Sequence, residues 1–167
     1  MKRGRKVLSE GKDHRDMLST LRSLVVKSAP KKGESLVWAG CPGPCYSMAT
    51  FFSYGLRDLG LGLFFATDAD IHRLWRLELE EELGMVAARR ESPLKAKILI
   101  LMSGLITAPF ENVLRLVKEG LQDDGVVIGE TVVRGLFESA KWDERINFRY
   151  LFEFSMEKPM ALEMVDG

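Results

Sequence analysis

The sequence has few of the residues that mark secreted, metal-binding or membrane proteins. Its 167 residues include two cysteines and two histidines, too few for a disulfide framework, and no metal site is predicted from them. The most apolar segments, residues 36–39, 61–66 and 98–102, are far shorter than the roughly 20 residues of a membrane-spanning helix. The basic residues 1–6 precede polar residues, unlike the start of an export signal. We therefore expect a cytoplasmic protein with no membrane partner.

The chain also lacks an excess of charge of either sign. Twenty-four Lys and Arg residues balance 24 Asp and Glu residues, so no overall positive field attracts nucleic acid. Hydrophobic residues make up 46% of the chain and charged residues 29%, close to the globular average. These values predict a folded domain, and nucleic acid is not expected as a partner.

Helical and strand patterns alternate along the chain after a charged segment, residues 1–11, that we interpret as a flexible tail. Apolar residues at helical spacing predict helices over residues 12–27, 46–59, 71–83, 109–121 and 132–141. Short apolar runs predict strands over residues 35–39, 61–67, 97–102 and 126–128. The last dozen residues fit either a short strand or a tail.

Strands that alternate with helices of ten to fifteen residues are typical of right-handed crossover units. We therefore expect one α/β domain over residues 12–167. It would be a three-layer, Rossmann-like sandwich, with a mostly parallel sheet of about five to six strands and helices on both faces. In such a sheet, ligands bind beyond the carboxyl ends of the strands, where the strand order reverses. Candidate site residues are therefore those that follow each predicted strand.

The loop after the first of these strands is the strongest candidate. Its glycines let the backbone approach a ligand, and the free N–H groups of the following helix can hold an anion. The pattern is neither the dinucleotide fingerprint G-x-G-x-x-G nor a Walker loop, and a tight strand-to-helix connection would explain it as well. The residues proposed to bind a ligand here are Gly40, Cys41, Gly43, Cys45 and Ser47.

Cys41 and Cys45 form a C-x3-C pair with three interpretations. Near a helix start, Cys45 should have a lowered pKa and act as a nucleophile or redox centre, although the spacing is not C-x-x-C. A metal site would need His14 and His72, which lie on separate predicted helices. Both cysteines could instead be small buried residues in a tight loop.

Polar residues also follow the other predicted strands. Asp68 stands where dinucleotide-binding domains contact ribose, but Asp68 or Asp70 could instead cap the next helix. Ser103, Gly104, Glu130 and Thr131 follow two further strands. Together these residues predict a polar crevice suited to a nucleotide-like ligand. Glu130 could act as a general acid or base, and no G-x-S-x-G nucleophile elbow is present.

An alternating pattern marks the C-terminal part of the chain. Phe148, Tyr150, Phe152 and Phe154 occupy every second position, which predicts a half-exposed strand. An exposed aromatic edge would favour a homodimer or a place in a larger assembly through the sheet.

The loop sequence resembles a known family. Residues 37–45, with their Gly40-Cys41-Pro42-Gly43 turn, and the element order through Tyr150 resemble an uncharacterised family of small archaeal proteins, over about residues 35–155. The resemblance implies a cytoplasmic archaeal protein with a Rossmann-like fold and carries over no catalytic residues. The looser likeness to methyltransferases and dinucleotide-binding proteins fails at Cys41, Pro42 and Pro44, so no cofactor is assigned.

Three hypotheses of function follow. The leading one is a small-molecule binding domain that holds a nucleotide-like or other anionic ligand at residues 40–47. The first alternative is a thiol-dependent or transferase enzyme that uses Cys45. The second alternative is an interaction subunit that uses the aromatic C-terminal strand.

Overall fold

The computed structural model describes residues 4–92, 95–155 and 160–165. Over these residues the chain forms a nine-stranded sheet with helices. The strands are β1 Gly4–Glu10, β2 Ser35–Gly40, β3 Gly62–Thr67, β4 Leu74–Glu80, β5 Gly84–Arg90, β6 Ala96–Met102, β7 Leu121–Thr131, β8 Phe148–Glu153 and β9 Met160–Val165. The helices are α1 His14–Lys27, α2 Pro44–Tyr54, α3 Phe110–Gly120 and α4 Leu136–Ser139, with a short 3-10 helix at Ser103–Thr107.

The strand order is β1-β9-β8-β7-β6-β2-β3-β4-β5. The five central strands, from β8 to β3, run parallel to one another. Two antiparallel strands extend the sheet on each side, β9 and β1 beyond β8, and β4 and β5 beyond β3. The carboxyl ends of the five central strands therefore lie along one edge of the sheet.

The expected fold class is wrong. Among the described residues, four of the eight strand pairings are antiparallel, and the sheet has nine strands instead of five or six. The protein is thus not a mostly parallel, three-layer Rossmann-like sandwich. The additional strands β1, β4 and β5 have partly exposed faces. Antiparallel strands of this kind need no continuous apolar run, so apolar runs in the sequence do not mark them.

Apolar side chains fill both faces of the sheet. The strand β6 is buried along its whole length, because its large apolar residues face a packed layer on each side. One layer contains Met17 and Leu21 of α1 with Phe52 of α2, and the other contains Val113 of α3 and Phe137 of α4. Within the described ranges, no helix is both long and apolar enough to cross a membrane.

Several predicted elements are confirmed. The helix predicted over residues 12–27 is α1, and the side chain of Asp13 caps it by accepting a hydrogen bond from the backbone N–H of Arg15 at 2.8 Å. The predicted strands at 35–39, 61–67 and 97–102 correspond to β2, β3 and β6. Pro109 precedes the first residue of α3, as expected from its fixed φ angle.

The helix predicted over residues 71–83 is wrong, since this segment contains β4 and leads into β5. Leu74 and Leu77 are three positions apart, as on one face of a helix, but residues an odd number apart on a strand face opposite ways. Leu74 accordingly packs in one core layer and Leu77 in the other. Gly84, with φ of +82°, begins the return strand.

The N-terminal segment also differs from the expected tail, because Gly4–Glu10 pairs with β9 as the edge strand β1. Arg5 connects this strand to the rest of the protein through two carboxylates. Its Nη2 lies 2.7 Å from Oε2 of Glu153, and its Nη1 lies 3.0 Å from Oε1 of Glu138. The other Glu153 oxygen accepts the N–H of Gly135 at 2.8 Å.

The aromatic strand is not at an edge of the sheet. The strand β8 pairs with β7 on one side and β9 on the other, and each of its side chains except that of Arg149 is buried. The prediction of a half-exposed strand is therefore wrong, and β8 has no free edge for an assembly contact. Association between copies stays a prediction. Both aromatic-bearing faces of β8 are occupied by the protein's own core.

We predict that Arg5→Ala lowers the free energy of unfolding by about 2 kcal/mol. The change would leave the carboxylate of Glu153, which is 2% exposed, without its cation. The control Lys6→Ala alters an exposed residue on the same strand and should change stability by less than about 0.5 kcal/mol. Urea unfolding of the three proteins measures both values, and equal effects of the two substitutions would contradict the anchoring role of Arg5.

Candidate functional site

The reversal of strand order places two loops next to each other. The chain leaves β2 to form β3 on one side, then returns to form β6 on the other side of β2. Because β2 and β6 are parallel neighbours, the loop after Gly40 and the turn after Met102 lie side by side. This is the position where open α/β sheets bind ligands, and here it brings Cys41, Cys45 and Gly104 together.

Two glycines allow this contact. A Cβ atom built on Gly104 would lie 2.4 Å from Sγ of Cys45 and 2.8 Å from Sγ of Cys41. A Cβ atom built on Gly40 would lie 2.4 Å from Cβ of Cys45. Since van der Waals contact begins near 3.5 Å, a side chain at either position would displace the cysteines.

The two cysteines lie together at the start of α2 as free thiols. Their Sγ atoms are 3.1 Å apart, which is within hydrogen-bonding distance. Cys41 is partly exposed and Cys45 is buried. The pair therefore combines one thiol that solvent can reach with a second thiol held behind it.

The environment of Cys41 favours its thiolate form. Burial raises the pKa of the Cys41 thiol, but hydrogen bonds from the Cys45 thiol and from the backbone N–H groups of Cys45 and Gly43 outweigh burial. The resulting pKa is lower than that of an ordinary cysteine. The N–H groups at the start of α2 thus stabilise negative charge on a side chain of the protein itself.

The environment of Cys45 has the opposite effect. Burial raises the pKa of the Cys45 thiol to about 12, and the hydrogen bond to Cys41 and the negative charge of Cys41 act in the same direction. The expectation that Cys45 is the more acidic, nucleophilic thiol is therefore wrong. Its place near the helix start was identified correctly, but desolvation outweighs the N–H groups of Cys41 and Gly104 that favour its thiolate.

Glu130 is a buried carboxyl group next to the same turn. It is 2% exposed and pairs in the sheet with Met102 on β6 and with Phe152 on β8. Burial raises the pKa of Glu130 to about 8, although the N–H of Ser103 donates a hydrogen bond to the carboxylate and acts in the opposite direction. A carboxyl group with this pKa exchanges protons near neutral pH.

The structure places the other predicted site residues nearby or gives them structural roles. Gly43 and Ser47 are exposed at the start of α2, and Thr131 is buried at the end of β7, where its Oγ1 accepts the N–H of Val133 at 2.9 Å. Asp68 has a positive φ of 54°, and its N–H donates to the carbonyl of Gly40 at 2.8 Å.

The acidic residues after β3 do not cap a helix, because β4 follows them. Asp70 accepts the N–H of His72 at 2.9 Å through Oδ1, which fixes the turn between β3 and β4. An Asp does precede a regular secondary-structure element here, as expected, but that element is the strand β4 and not a helix.

Three cavities among the described residues lie away from the cysteines. One has a volume of about 1000 Å³ and is lined by Arg5, Glu138, Lys141, Arg145 and neighbouring residues, none of which was a predicted site residue. The second and third cavities are also lined by residues outside the cysteine loop. In the part of the chain that the structure describes, no three His, Cys, Asp or Glu side chains are grouped to hold a metal ion.

The fold and site define an α/β protein with a mixed sheet and a close cysteine pair beyond its central parallel strands. The chain belongs to the family described as "Uncharacterized protein conserved in archaea" (DUF2124), which matches residues 14–157. This confirms the family resemblance drawn from residues 37–45 and the element order.

Two comparisons extend this result. An uncharacterised protein of Methanothermobacter thermautotrophicus is 31% identical over 131 residues, which cover 74% of this chain and 80% of that protein. The crystal structure of a protein of unknown function from the same organism matches with a TM-score of 0.76 at 26% identity, covering 89% of this chain and 92% of the other. The mixed-sheet fold is therefore shared by a solved structure.

We predict that Gly104→Ala lowers the free energy of unfolding by about 2 kcal/mol, because the new methyl group must displace both sulfur atoms. The control Gly120→Ala adds a methyl group at the end of α3. The nearest neighbour of this methyl group is Cδ1 of the Leu116 side chain at 3.1 Å, so the control should lower the free energy of unfolding much less. Chemical denaturation of both variants tests this, and a neutral Gly104→Ala would contradict the observed packing.

We predict that Glu130→Gln changes the pH dependence of stability. The pKa of Glu130 is raised from its ordinary value of 4.5 to about 8, so the folded protein keeps a proton that the unfolded chain releases. The contribution of Glu130 to the free energy of unfolding is fully present below about pH 4.5 and is lost as the pH rises towards about 8. Relative to the unaltered protein, Glu130→Gln should gain roughly 4 kcal/mol between about pH 5 and pH 9. The free energies of unfolding of the two proteins are measured at several pH values, and a difference between them that stays constant from about pH 5 to pH 9 would contradict the prediction.

Proposed function

We propose that the protein carries a thiol–disulfide redox site formed by Cys41 and Cys45. The observation that supports the proposal most directly is the 3.1 Å separation of the two Sγ atoms. A disulfide bond is about 2.05 Å long, so only a small movement would join them. The proposal rests on this distance, because the C-x3-C spacing is one residue longer than the usual redox motif.

The chemistry assigned to the pair has two steps. The Cys41 thiolate attacks one sulfur of a partner disulfide, forms a mixed disulfide and releases the partner's other sulfur as a thiolate. Cys45 then loses its proton and attacks Sγ of Cys41, which forms the Cys41–Cys45 disulfide and releases the second partner sulfur. The cysteine pair loses two electrons, and the partner disulfide gains them.

The different environments of the two thiols fit this order. Cys41 is the partly exposed thiol with the lowered pKa, as a first nucleophile must be. Two of the effects that raise the pKa of Cys45, the hydrogen bond to Cys41 and the negative charge of Cys41, disappear once Cys41 is bound in a mixed disulfide. Cys45 therefore becomes more acidic at the stage when it has to react.

The pair also bears on the hypothesis that an anionic ligand binds at residues 40–47. The N–H groups of Gly43 and Cys45 that would hold such an anion donate to Sγ of Cys41. A bound anion would have to compete with the Cys41 thiolate for the same donors. The geometry thus favours the thiol-dependent alternative, with Cys41 in the nucleophilic role that the sequence analysis gave to Cys45.

The reaction with oxidised glutathione, a small disulfide, tests the proposal. We expect the reduced full chain to lose about 2 Da as the internal disulfide forms. Cys45→Ser should instead retain glutathione on Cys41 and gain about 305 Da. Cys41→Ser should react at least about tenfold more slowly, since burial still disfavours the Cys45 thiolate. Mass spectrometry of quenched samples gives all three results.

Two outcomes would contradict the proposal in different ways. If the unaltered chain formed no internal disulfide, the redox function would be wrong. If Cys41→Ser reacted as fast as Cys45→Ser, the assignment of Cys41 as the first nucleophile would be wrong.

A further inference from the structure

Glu130 is a buried acidic residue that the fold alone does not explain. Its carboxyl group is 2% exposed, and the N–H of Ser103 favours its charged form. The residues beside it in the sheet, Met102 and Phe152, carry no charge. Burying a carboxyl group between such uncharged neighbours costs free energy, which is typical of residues kept for function.

The turn after β6 connects this carboxyl group with the cysteine pair. The N–H of Ser103 donates to Glu130, and the N–H of the next residue, Gly104, donates to Sγ of Cys45. Gly104 also lies against both sulfur atoms, as the contacts of a Cβ atom built on it show. Neighbouring amides of one turn therefore hold the Glu130 carboxyl group and the Cys45 thiol.

The strand register supports the same arrangement. Side chains on β6 and β7 alternate between the two core layers, and Met102 belongs to the layer that contains Cys45 and Phe52. Glu130 pairs with Met102, and its partner on the other side, Phe152, also belongs to this layer. Glu130 thus occupies the face of the sheet on which α2 and Cys45 are packed.

We propose that Glu130 is the proton acceptor for Cys45, directly or through one water molecule, when Cys45 attacks the mixed disulfide. The inference rests on the proposed redox function of the pair. The Cys45 S–H proton passes to the Glu130 carboxylate, the sulfur electron pair forms the bond to Sγ of Cys41, and the partner sulfur leaves with the electrons of the broken bond. In the reverse direction, the protonated Glu130 returns the proton to Cys45.

The acidity of Glu130 suits this role. A carboxyl group with its ordinary pKa would be a weak base towards a thiol. Burial raises the pKa of Glu130 to about 8, which narrows the gap to the raised pKa of the Cys45 thiol. The two nearest atoms to a Cβ atom built on Gly104 are the sulfur atoms of Cys45 and Cys41. When Cys41 is in a mixed disulfide and Cys45 still holds its proton, neither sulfur atom carries a charge.

The experiment separates the two steps of the reaction with oxidised glutathione by rapid quenching and mass spectrometry. In Glu130→Gln, the first step at Cys41 should keep its rate, while the conversion of the mixed disulfide into the Cys41–Cys45 disulfide should slow by about tenfold or more. The unaltered chain should show a second-step rate that rises with pH and levels off above about pH 8. In Glu130→Gln the second-step rate should not level off above about pH 8.

Glu153→Gln provides a matched control. Glu153 is equally buried and lies at the end of the neighbouring strand β8, but it bonds to Arg5 and Gly135 on the other face of the sheet. This variant should resolve the mixed disulfide at the rate of the unaltered chain. An equal slowing in both variants would show a general effect of lost buried charge and would overturn the inference.

The remaining outcomes distinguish the inference from the proposed function. An unchanged second step in Glu130→Gln, with the same pH profile as the unaltered chain, would overturn the role of Glu130 and leave the redox pair intact. If Glu130→Gln did not fold, a second-step rate in the unaltered chain that continued to rise to about pH 10 would overturn it equally. Failure of the unaltered chain to form the internal disulfide would overturn the redox function itself.

Discussion

The loop after β2, the first turn of α2 and the turn after β6 come into close contact at the carboxyl ends of β2 and β6. This contact depends on two glycines, Gly40 and Gly104. Gly40 lets Cβ of Cys45 pack against the end of β2, and Gly104 lets both sulfur atoms pack against the turn after β6. Any larger residue would occupy the space of the cysteines. The short distance between the thiols and the order of their acidities both follow from this packing.

The rest of the core holds α2 in the position that this packing requires. The ring of Phe52 stacks on Trp38 of β2 with centroids 5.7 Å apart and meets Phe152 and Phe154 edge-on. The indole N–H of Trp38 donates to Oγ of Ser53 at 2.8 Å, and the Tyr46 hydroxyl accepts the N–H of Ala87 at 3.0 Å. Helix α2 is thus fixed to β2, β8 and β5, so its first turn presents Cys45 to Gly104 without the freedom of a loop.

Burial and backbone N–H groups together set the pKa values of the three ionisable groups at this edge, Cys41, Cys45 and Glu130. The start of a helix should acidify a nearby thiol, and it does so for Cys41, which is partly exposed and receives the N–H groups. Only four residues away, Cys45 is buried, and desolvation reverses the effect. A Glu at the end of a strand can be either a surface carboxylate or a buried acid. Glu130 lies deep in the sheet, and burial therefore raises its pKa.

The sequence by itself determined the buried strands β2, β3 and β6, the helix α1, the glycine loop and the presence of Cys41, Cys45, Gly104 and Glu130 at or just beyond strand ends, because apolar runs and turn residues act over short distances along the chain. It did not determine the antiparallel strands β1, β4, β5 and β9, whose partly polar sequences become strands only through pairing with neighbours. Nor could it determine which thiol is acidic or that the pKa of Glu130 is raised, because these pKa values depend on depth. For Cys45 and Glu130 they also depend on the N–H groups of Gly104 and Ser103, which come from a distant segment. Tertiary structure decided these features, since strand pairing and desolvation both arise between segments that are distant in the chain.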